Sequence, residues 1–519
     1  MRSSWFTFSL IAALGLTGLT VDLSDWTGVV RAHAAPPGSS PIPEGLQLVQ
    51  PQIPPELVGS LKTLNERLQK GLPPDENAVN ILMVAFGPDA FEPELKADSF
   101  ELLGLKALPP YSPQFVQLDH FTKHLEGVPA EQSFEKALDI QAELFAAGEE
   151  VWSEEKYPLL VKYLDANAET LKTVRLASEK KGYYAPLLSV ESPPRLLSVA
   201  LNIERRLPFL TRMLVARALL HFGRGEFDEC TQDLVTGHKL ALLLANGSPL
   251  DVSNAKAHVM DALIQRGESV ILASGRFTGD DLKKFAAAFR ALPPLPTAEK
   301  AADLGERAIV HQEIELLSTD ESSVAGFFEQ GSDPASKKPA DLSGLDWDLA
   351  LTQADEIWNQ IVIALGKRDR AEQDKLFATL NKQYEDWEKS SETDLKTFEA
   401  LLKADRAAAS RSVGTDMAMS LRPLWWQRRA TDDRARLRRD FTNVGIALLE
   451  YREKHGKFPS ELKQLVPEFL PAVPADAHSD GDYLYKDAGD GQVLLMSLGP
   501  NRADDANQAY SDDQFLLVR

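Results

Sequence analysis

Residues 437–466 read LRRDFTNVGIALLEYREKHGKFPSELKQLV, and this stretch decides how the end of the chain folds. Apolar side chains recur in it at steps of four and three, which places them on one stripe of a helix. They are Leu437, Phe441, Val444, Leu448 and Tyr451. Gly456 follows the last of them, and a glycine just past a periodic run is the usual helix terminator. The pattern therefore predicts one long helix that ends at His455.

Short strands and a hairpin turn are predicted after that helix. Residues 483–485 (YLY) and 493–496 (VLLM) have the composition of strands, and residues 487–491 (DAGDG) are typical of the turn between them. Prolines within residues 467–474 are expected to keep the segment between the helix and these strands extended. The sequence therefore predicts a small α+β module over residues 433–519, in which a helix lies across an antiparallel sheet.

The order of these signals resembles the globular head of the major pseudopilin of type II secretion. The resemblance is carried by Tyr451, by His455-Gly456-Lys457-Phe458-Pro459 and by Ser497-Leu498-Gly499. Asp476-Ala477-His478-Ser479 stands where that family has Asp-Pro-Trp-Gly. The family's head also follows a continuous apolar helix, whereas in this chain Pro423 breaks the corresponding region. The resemblance implies an autonomous head domain, and it does not imply pilus assembly.

In that family an acidic loop binds calcium, and the resemblance implies a similar loop near the end of this chain. Its candidate ligands are the carbonyl oxygen of Leu498 and the side chains of Asn501, Asp504, Asp512 and Asp513. Carboxylate, amide and carbonyl oxygens in a flexible loop are the ligands that calcium prefers. The alternative is a solvated acidic loop without a metal ion.

The first residues carry signals for export. Met1-Arg2 precedes an apolar run at residues 5–21, and Ala32-His33-Ala34 supplies a cleavage step of small residues. We expect a signal peptide over residues 1–34, with an uncleaved anchor as the alternative, and a flexible Pro- and Ser-rich tether over residues 35–55. The protein is therefore expected to be periplasmic or secreted.

Residues 56–317 have helical periodicity, interrupted at Pro-Pro and Gly-Pro steps, which predicts a mainly α region. Residues 217–244 resemble one tetratricopeptide hairpin, with Cys230 where a small core residue belongs. Because only one such hairpin is visible, an irregular helical array of either solenoid or bundle form is predicted. The helical part as a whole resembles exported bacterial proteins of uncharacterised function.

A loop and a second helical segment connect this region to the end of the chain. Residues 318–345 are rich in Ser, Asp, Gly and Pro and are predicted to be a flexible loop. Apolar stripes over residues 347–365 and 377–387 predict a helical hairpin within residues 346–432. Residues 401–440 are basic, and we expect them to pack against the protein's own acidic helices; a membrane surface is the alternative.

Composition excludes several functional classes. The 519 residues carry a net charge of -21, which disfavours nucleic acid and anionic membranes as partners, so that only an uncleaved leader would attach the chain to a membrane. The single cysteine permits no internal disulfide.

His120 and His124 would share one face of a helix and could bind a metal, but two surface histidines are the favoured interpretation.

No phosphate-binding loop, nucleophile elbow or cysteine-pair zinc spacing is present in the sequence. We therefore predict an exported, non-catalytic scaffold or interaction protein of the cell envelope. It would have a protein partner and would connect to type II secretion-like machinery through its C-terminal module. The alternative is an envelope hydrolase with a pocket in the helical domain, because active sites assembled from distant residues leave no local trace.

Overall fold

The computed structural model describes residues 42–54, 57, 59–109, 115–319, 344–390, 395–421, 425–479, 481–501, 503 and 514–519. The predicted signal peptide and most of the predicted loop at 318–345 lie outside these ranges. The helices up to the loop are α1 Gly59–Gln69, α2 Ala78–Phe86, α3 Lys96–Leu103, α4 Leu118–Lys123, α5 Ser133–Ala147, α6 Pro158–Ala166, α7 Ala168–Ser178, α8 Leu207–Arg224, α9 Phe227–Gly247, α10 Asp251–Ala273, α11 Gly279–Arg290, α12 Ala298–Ala301 and α13 Arg307–Thr319. Those after it are α14 Trp347–Gly366, α15 Arg370–Ser390, α16 Leu395–Ala404, α17 Arg406–Ser420 and α18 Trp425–His455.

The mainly α class and the small C-terminal sheet are confirmed. The strands are β1 Gln47–Leu48, β2 Leu105–Ala107, β3 Leu484–Gly489, β4 Gln492–Ser497 and β5 Gln514–Val518. Strands β3, β4 and β5 form one antiparallel sheet in that order, so the final apolar run of the chain is its third strand. The β1–β2 pair was not predicted, since strands this short leave no periodicity in the sequence.

The predicted helical hairpins are present. Helices α8 and α9 pack on each other as the first predicted pair, and Gly225 ends α8 at a φ of +79°, a left-handed conformation that glycine adopts without strain. Cys230 is buried in the main core, as predicted, and burial raises the pKa of its thiol above the usual range. Helices α14 and α15 form the second predicted hairpin. Among the described residues, no helix combines the length and apolar composition that crossing a membrane needs.

Helix α18 ends where the sequence predicts. Gly456 has a φ of +73°, and its amide donates a 2.8 Å hydrogen bond to the Arg452 carbonyl. Midway along the helix, Gly445 lies between α10 and the C-terminal sheet. A Cβ atom there would come within 2.9 Å of Leu272 on α10 and 2.9 Å of Leu516 on β5. The helix is therefore packed tightly on two sides.

The C-terminal module does not have a core of its own. The main cluster of buried side chains joins α2 and α8–α11 to α18 and the C-terminal sheet, whereas a second cluster holds α12–α17 together. Residues 446–449 of α18 are all buried, and a helix that is apolar on every side needs neighbours all round. Residues 433–519 thus share their core with the helical region, and their independence as a domain stays a prediction.

Candidate functional site

The calcium site implied by the resemblance falls largely outside the described residues. Leu498 and Asn501 are described, and the Asn501 side-chain oxygen accepts a 2.7 Å hydrogen bond from the Ala503 amide. Asp504, Asp512 and Asp513 are not described. Within the described ranges, no group of three or more His, Cys, Asp or Glu side chains is arranged to hold a metal ion. Calcium binding therefore stays a prediction.

His120 and His124 lie close together at the exposed helix α4. Their rings are 4.3 Å apart between centroids, and His124 Nδ1 donates to the His120 carbonyl at 2.8 Å. This hydrogen bond occupies one ring nitrogen of His124, and among the described residues no third His, Cys, Asp or Glu side chain joins the pair as a metal ligand. The arrangement fits two surface histidines better than a metal site.

The most developed polar cluster in the described structure is centred on His238 of α9. His238 Nδ1 lies 2.9 Å from Asp261 Oδ1, and its Nε2 lies 2.9 Å from Glu268 Oε1. Both carboxylates are on α10, seven residues apart, so they project from the same face of that helix. The imidazole is only 3% exposed, and both acidic residues are buried.

Further hydrogen bonds connect this cluster to α18. Gln265 Nε2 donates to Asp261 Oδ2 at 2.7 Å, and Thr442 Oγ1 on α18 donates to Glu268 Oε2 at 3.1 Å. Helices α9, α10 and α18 thus share one buried network, named here the α10–α18 junction. Its members are His238, Asp261, Gln265, Glu268 and Thr442.

At the junction one imidazole faces two carboxylates, and the guanidinium group of Arg439 adds a positive charge near both of them. Burial disfavours the charged imidazole, but Glu268 and Asp261 outweigh it and raise the pKa of His238 to about 9. Burial likewise opposes ionisation of Asp261, but the hydrogen bond and charge of His238 lower its pKa. At neutral pH His238 is therefore an imidazolium that donates to a carboxylate on each side. It has no lone pair to take up a proton, so the junction suits a structural tie better than general base catalysis.

The basic segment before the sheet packs on the protein's own acidic side chains, as predicted. Arg428 pairs with Asp251 at the start of α10. Arg429 of α18 pairs with Asp374 of α15. In a third pair the carboxylate is on α18: Arg370 of α15 pairs with Asp433 of α18. These pairs connect α18 to both core clusters.

Two segments singled out by the pseudopilin resemblance meet in the structure. The Ser497 hydroxyl donates to Asp476 Oδ2 at 2.8 Å, and the His478 amide donates to Asp476 Oδ1 at 2.9 Å. All three residues are buried. Nearby, Tyr483 donates to Asp440 of α18 at 3.2 Å, and burial raises the pKa of that carboxyl to about 6. The loop at Asp476 therefore attaches the end of β4 to the rest of the module.

Another buried cluster was missed at the level of sequence. Ser253 Oγ, near the start of α10, donates to Glu204 Oε2 at 2.5 Å, and Lys256 Nζ lies 3.6 Å from the same oxygen. Burial lowers the pKa of Lys256. The Ser-x-x-Lys spacing, which some serine hydrolases use, is the signal that could have drawn attention to it. Ser253 has a relative exposure of 0%, so a substrate cannot reach its hydroxyl in this structure.

A depression of about 300 Å³ lies at the turn between α8 and α9. It is lined by Gly225, Glu226, Phe227, Asp228, Glu229 and Asp281. None of the junction residues or the Ser253 group borders it, and its acidic lining is solvated at a helix start. The depression therefore offers no set of converging catalytic groups.

Comparison with known proteins finds no matching family model, no matching curated protein and no matching solved structure. The pseudopilin-like and tetratricopeptide-like resemblances therefore depend on the residues quoted for them, and they stay predictions.

Proposed function

We propose that the protein is an exported, non-catalytic scaffold of the cell envelope that presents a rigid surface to a protein partner. The observation that carries this proposal is the α10–α18 junction, in which buried hydrogen bonds connect helices α9, α10 and α18. Both ring nitrogens of His238 contact carboxylates, and Thr442 closes the remaining side of Glu268. Such a network holds helices in one arrangement, which is what a scaffold requires.

The proposed connection to type II secretion-like machinery rests on the resemblance of residues 433–519. The shared core means that this module would act as part of the whole protein rather than as a detachable head. A partner bound to the sheet would therefore be held in a defined orientation to the helical region. The proposed periplasmic or secreted location rests on the leader sequence at residues 1–34.

An envelope hydrolase is the second candidate, and the Ser253 group is the observation that favours it. A serine hydroxyl, a carboxylate and a lysine with a lowered pKa are the groups that nucleophilic catalysis uses. Burial of Ser253 and Glu204 counts against it. The simpler role is structural, because a buried carboxylate near the start of α10 is stabilised by the helix dipole and by Lys256.

The decisive experiment combines location with reactivity. The full chain, expressed with its leader in a bacterial host, should fractionate with the envelope or medium, and its mature protein should begin at Ala35. The purified protein should react no more with a fluorophosphonate probe than its Ser253→Ala variant does. Labelling that disappears in Ser253→Ala would overturn the non-catalytic proposal, and cytoplasmic retention with an intact leader would overturn export.

A further inference from the structure

The C-terminal sheet has an apolar face that points away from the core. Strand register places Leu484, Met496 and Phe515 side by side across the three strands, and places Lys486, Leu494 and Leu517 in the next row on the same face. This surface of six residues is named the outer face. Phe515 is 67% exposed and Leu484 is 43% exposed, whereas Met496 between them is 3% exposed and Leu494 and Leu517 are half-buried. Large apolar side chains that are exposed on one face of a sheet mark an interaction site more often than isolated apolar residues do.

A second exposed apolar surface lies on α5. Phe134, Leu138 and Ala142 follow one another at steps of four and form the α5 ridge along one side of the helix. Phe134 is 72% exposed and Leu138 is 50% exposed, and they are among the most exposed large apolar side chains described. The opposite side of α5 is buried in the main core, so the ridge is a second apolar stripe on one helix.

The charges beside the two surfaces are opposite. The α5 ridge is bordered by the exposed acidic residues Glu131, Glu135 and Asp139, although Lys136 pairs with Asp139 at 2.7 Å. The outer face carries Lys486, which is exposed beside Leu484. The acidic border of the α5 ridge is therefore complementary in charge to the exposed Lys486 of the outer face. Helix on sheet is also one of the few arrangements in which such faces pack closely.

The two surfaces cannot meet within one molecule. Helix α5 packs on α8, α8 packs on α10, and α10 packs on β5, so α8 and α10 lie between the ridge and the sheet. A contact between ridge and outer face therefore needs two chains. Because the two surfaces differ, the contact is heterologous and leaves one free ridge and one free outer face on the resulting pair.

We propose that a second copy of this chain docks on the outer face through its α5 ridge, giving head-to-tail self-association. Symmetric alternatives are disfavoured by charge: two ridges would bring acidic borders together, and two outer faces would bring Lys486 against itself. A basic or anionic partner satisfies only one of the two surfaces, whereas a second copy satisfies both. The proposal goes beyond the scaffold function and does not depend on it.

Sedimentation velocity of the purified full chain tests the proposal. The measurement is made at about 0.15 M salt, where the Debye length of ~8 Å limits repulsion between negatively charged chains. The weight-average mass should rise with protein concentration past the mass of a dimer. Phe134→Ser and Phe515→Ser should each weaken association by about tenfold or more and leave monomers, because each removes a central aromatic contact. Lys486→Glu should weaken it in the same direction. Val190→Ser, at an exposed apolar residue outside both surfaces, is the matched control and should associate like the wild type.

Mixing the two variants separates heterologous from symmetric association. The Phe134→Ser chain keeps its outer face and the Phe515→Ser chain keeps its ridge, so an equimolar mixture should form a dimer and no larger species. A wild-type chain that stays monomeric, a single variant that associates like the wild type, or a mixture that stays monomeric would each overturn the proposal. Circular dichroism of both variants checks that they fold. None of these outcomes bears on the export and reactivity tests above.

Discussion

The two faces of the C-terminal sheet are both apolar, and they have opposite surroundings. Leu495, Leu516 and Val518 on the inner face are buried in the main core with α18, whereas Leu484 and Phe515 on the outer face are exposed. Composition does not distinguish the two faces, because apolar residues occupy both the inward-facing and the outward-facing positions of β4 and β5. The difference shows that what lies opposite a strand decides whether its apolar side chains are buried or stay exposed.

The inner side also contains the charged α10–α18 junction, and the outer side has no counterpart among the described residues. A buried ion cluster is weak evidence for net stability, but removing one of its members is costly. The comparison is therefore tested by pairs of substitutions, one on the inner side and one at an exposed residue, whose effects on the free energy of unfolding should differ.

The largest effect is expected from His238→Leu. This substitution leaves Asp261 and Glu268 as buried carboxylates without a counter-ion between them, which should lower the free energy of unfolding by about 3–5 kcal/mol. Urea denaturation measures the loss. His124→Leu, at an exposed histidine, is the control and should cost less than about 1 kcal/mol. Replacing the whole cluster (His238→Leu, Asp261→Leu, Glu268→Met) should recover most of the loss, and a single variant as stable as the wild type would contradict the role of the junction.

Adjacent residues of β5 give the next largest contrast. Leu516→Ala removes side-chain contacts on the inner face and should cost about 2–4 kcal/mol, whereas Phe515→Ala on the outer face should cost less than about 1 kcal/mol. Thermal and urea unfolding of the two variants measure both. Similar losses in the two variants would mean that the outer face is covered in the folded monomer.

A pH dependence is expected from the raised pKa of His238. Because the folded pKa, about 9, lies above the unfolded value near 6.5, the protonated form stabilises the fold. This stability is fully present below about pH 6.5 and is lost as the pH rises through 9. Between pH 7 and pH 10 the loss should be about 2–3 kcal/mol. The triple replacement described above provides the control, and an equally steep decline in that variant would assign the effect to other groups.

The smallest effect is expected from calcium. If the acidic loop binds the ion, millimolar calcium should raise the free energy of unfolding by about 1–2 kcal/mol, through preferential binding to the folded state. Differential scanning fluorimetry measures the shift in melting temperature. Asp512→Ala should abolish it, and Asp482→Asn, at an exposed residue outside the candidate set, should not. The absence of any shift would remove the site and leave the module held by packing alone.

Local signals predicted the elements well. The stripe from Leu437 to Tyr451, the glycine at 456 and the hairpin at residues 487–491 each correspond to a structural feature within a few residues of the expected place. The burial of Cys230 followed from its position in one helical pair. These predictions succeed because periodicity, helix termination and tight turns depend on neighbours in the chain.

The polar clusters could not be predicted in the same way. His238 and Glu268 are 30 residues apart and Thr442 is 174 residues beyond Glu268, so no spacing rule connects them. The Ser253 and Lys256 spacing was visible, but the carboxylate that contacts both is 49 residues from Ser253. Which charges meet is decided when helices pack, since a buried charge is tolerated only with a partner nearby.

By itself, the order of residues determined the mainly α class, the long helix with its end at His455, the antiparallel sheet and the leader-like start. Only the tertiary structure decided that the C-terminal module shares a core with the helical region, and which of its two apolar faces is covered. The reason is that helix and strand periodicity record how much apolar surface must be buried, whereas the partner for that surface comes from distant parts of the chain.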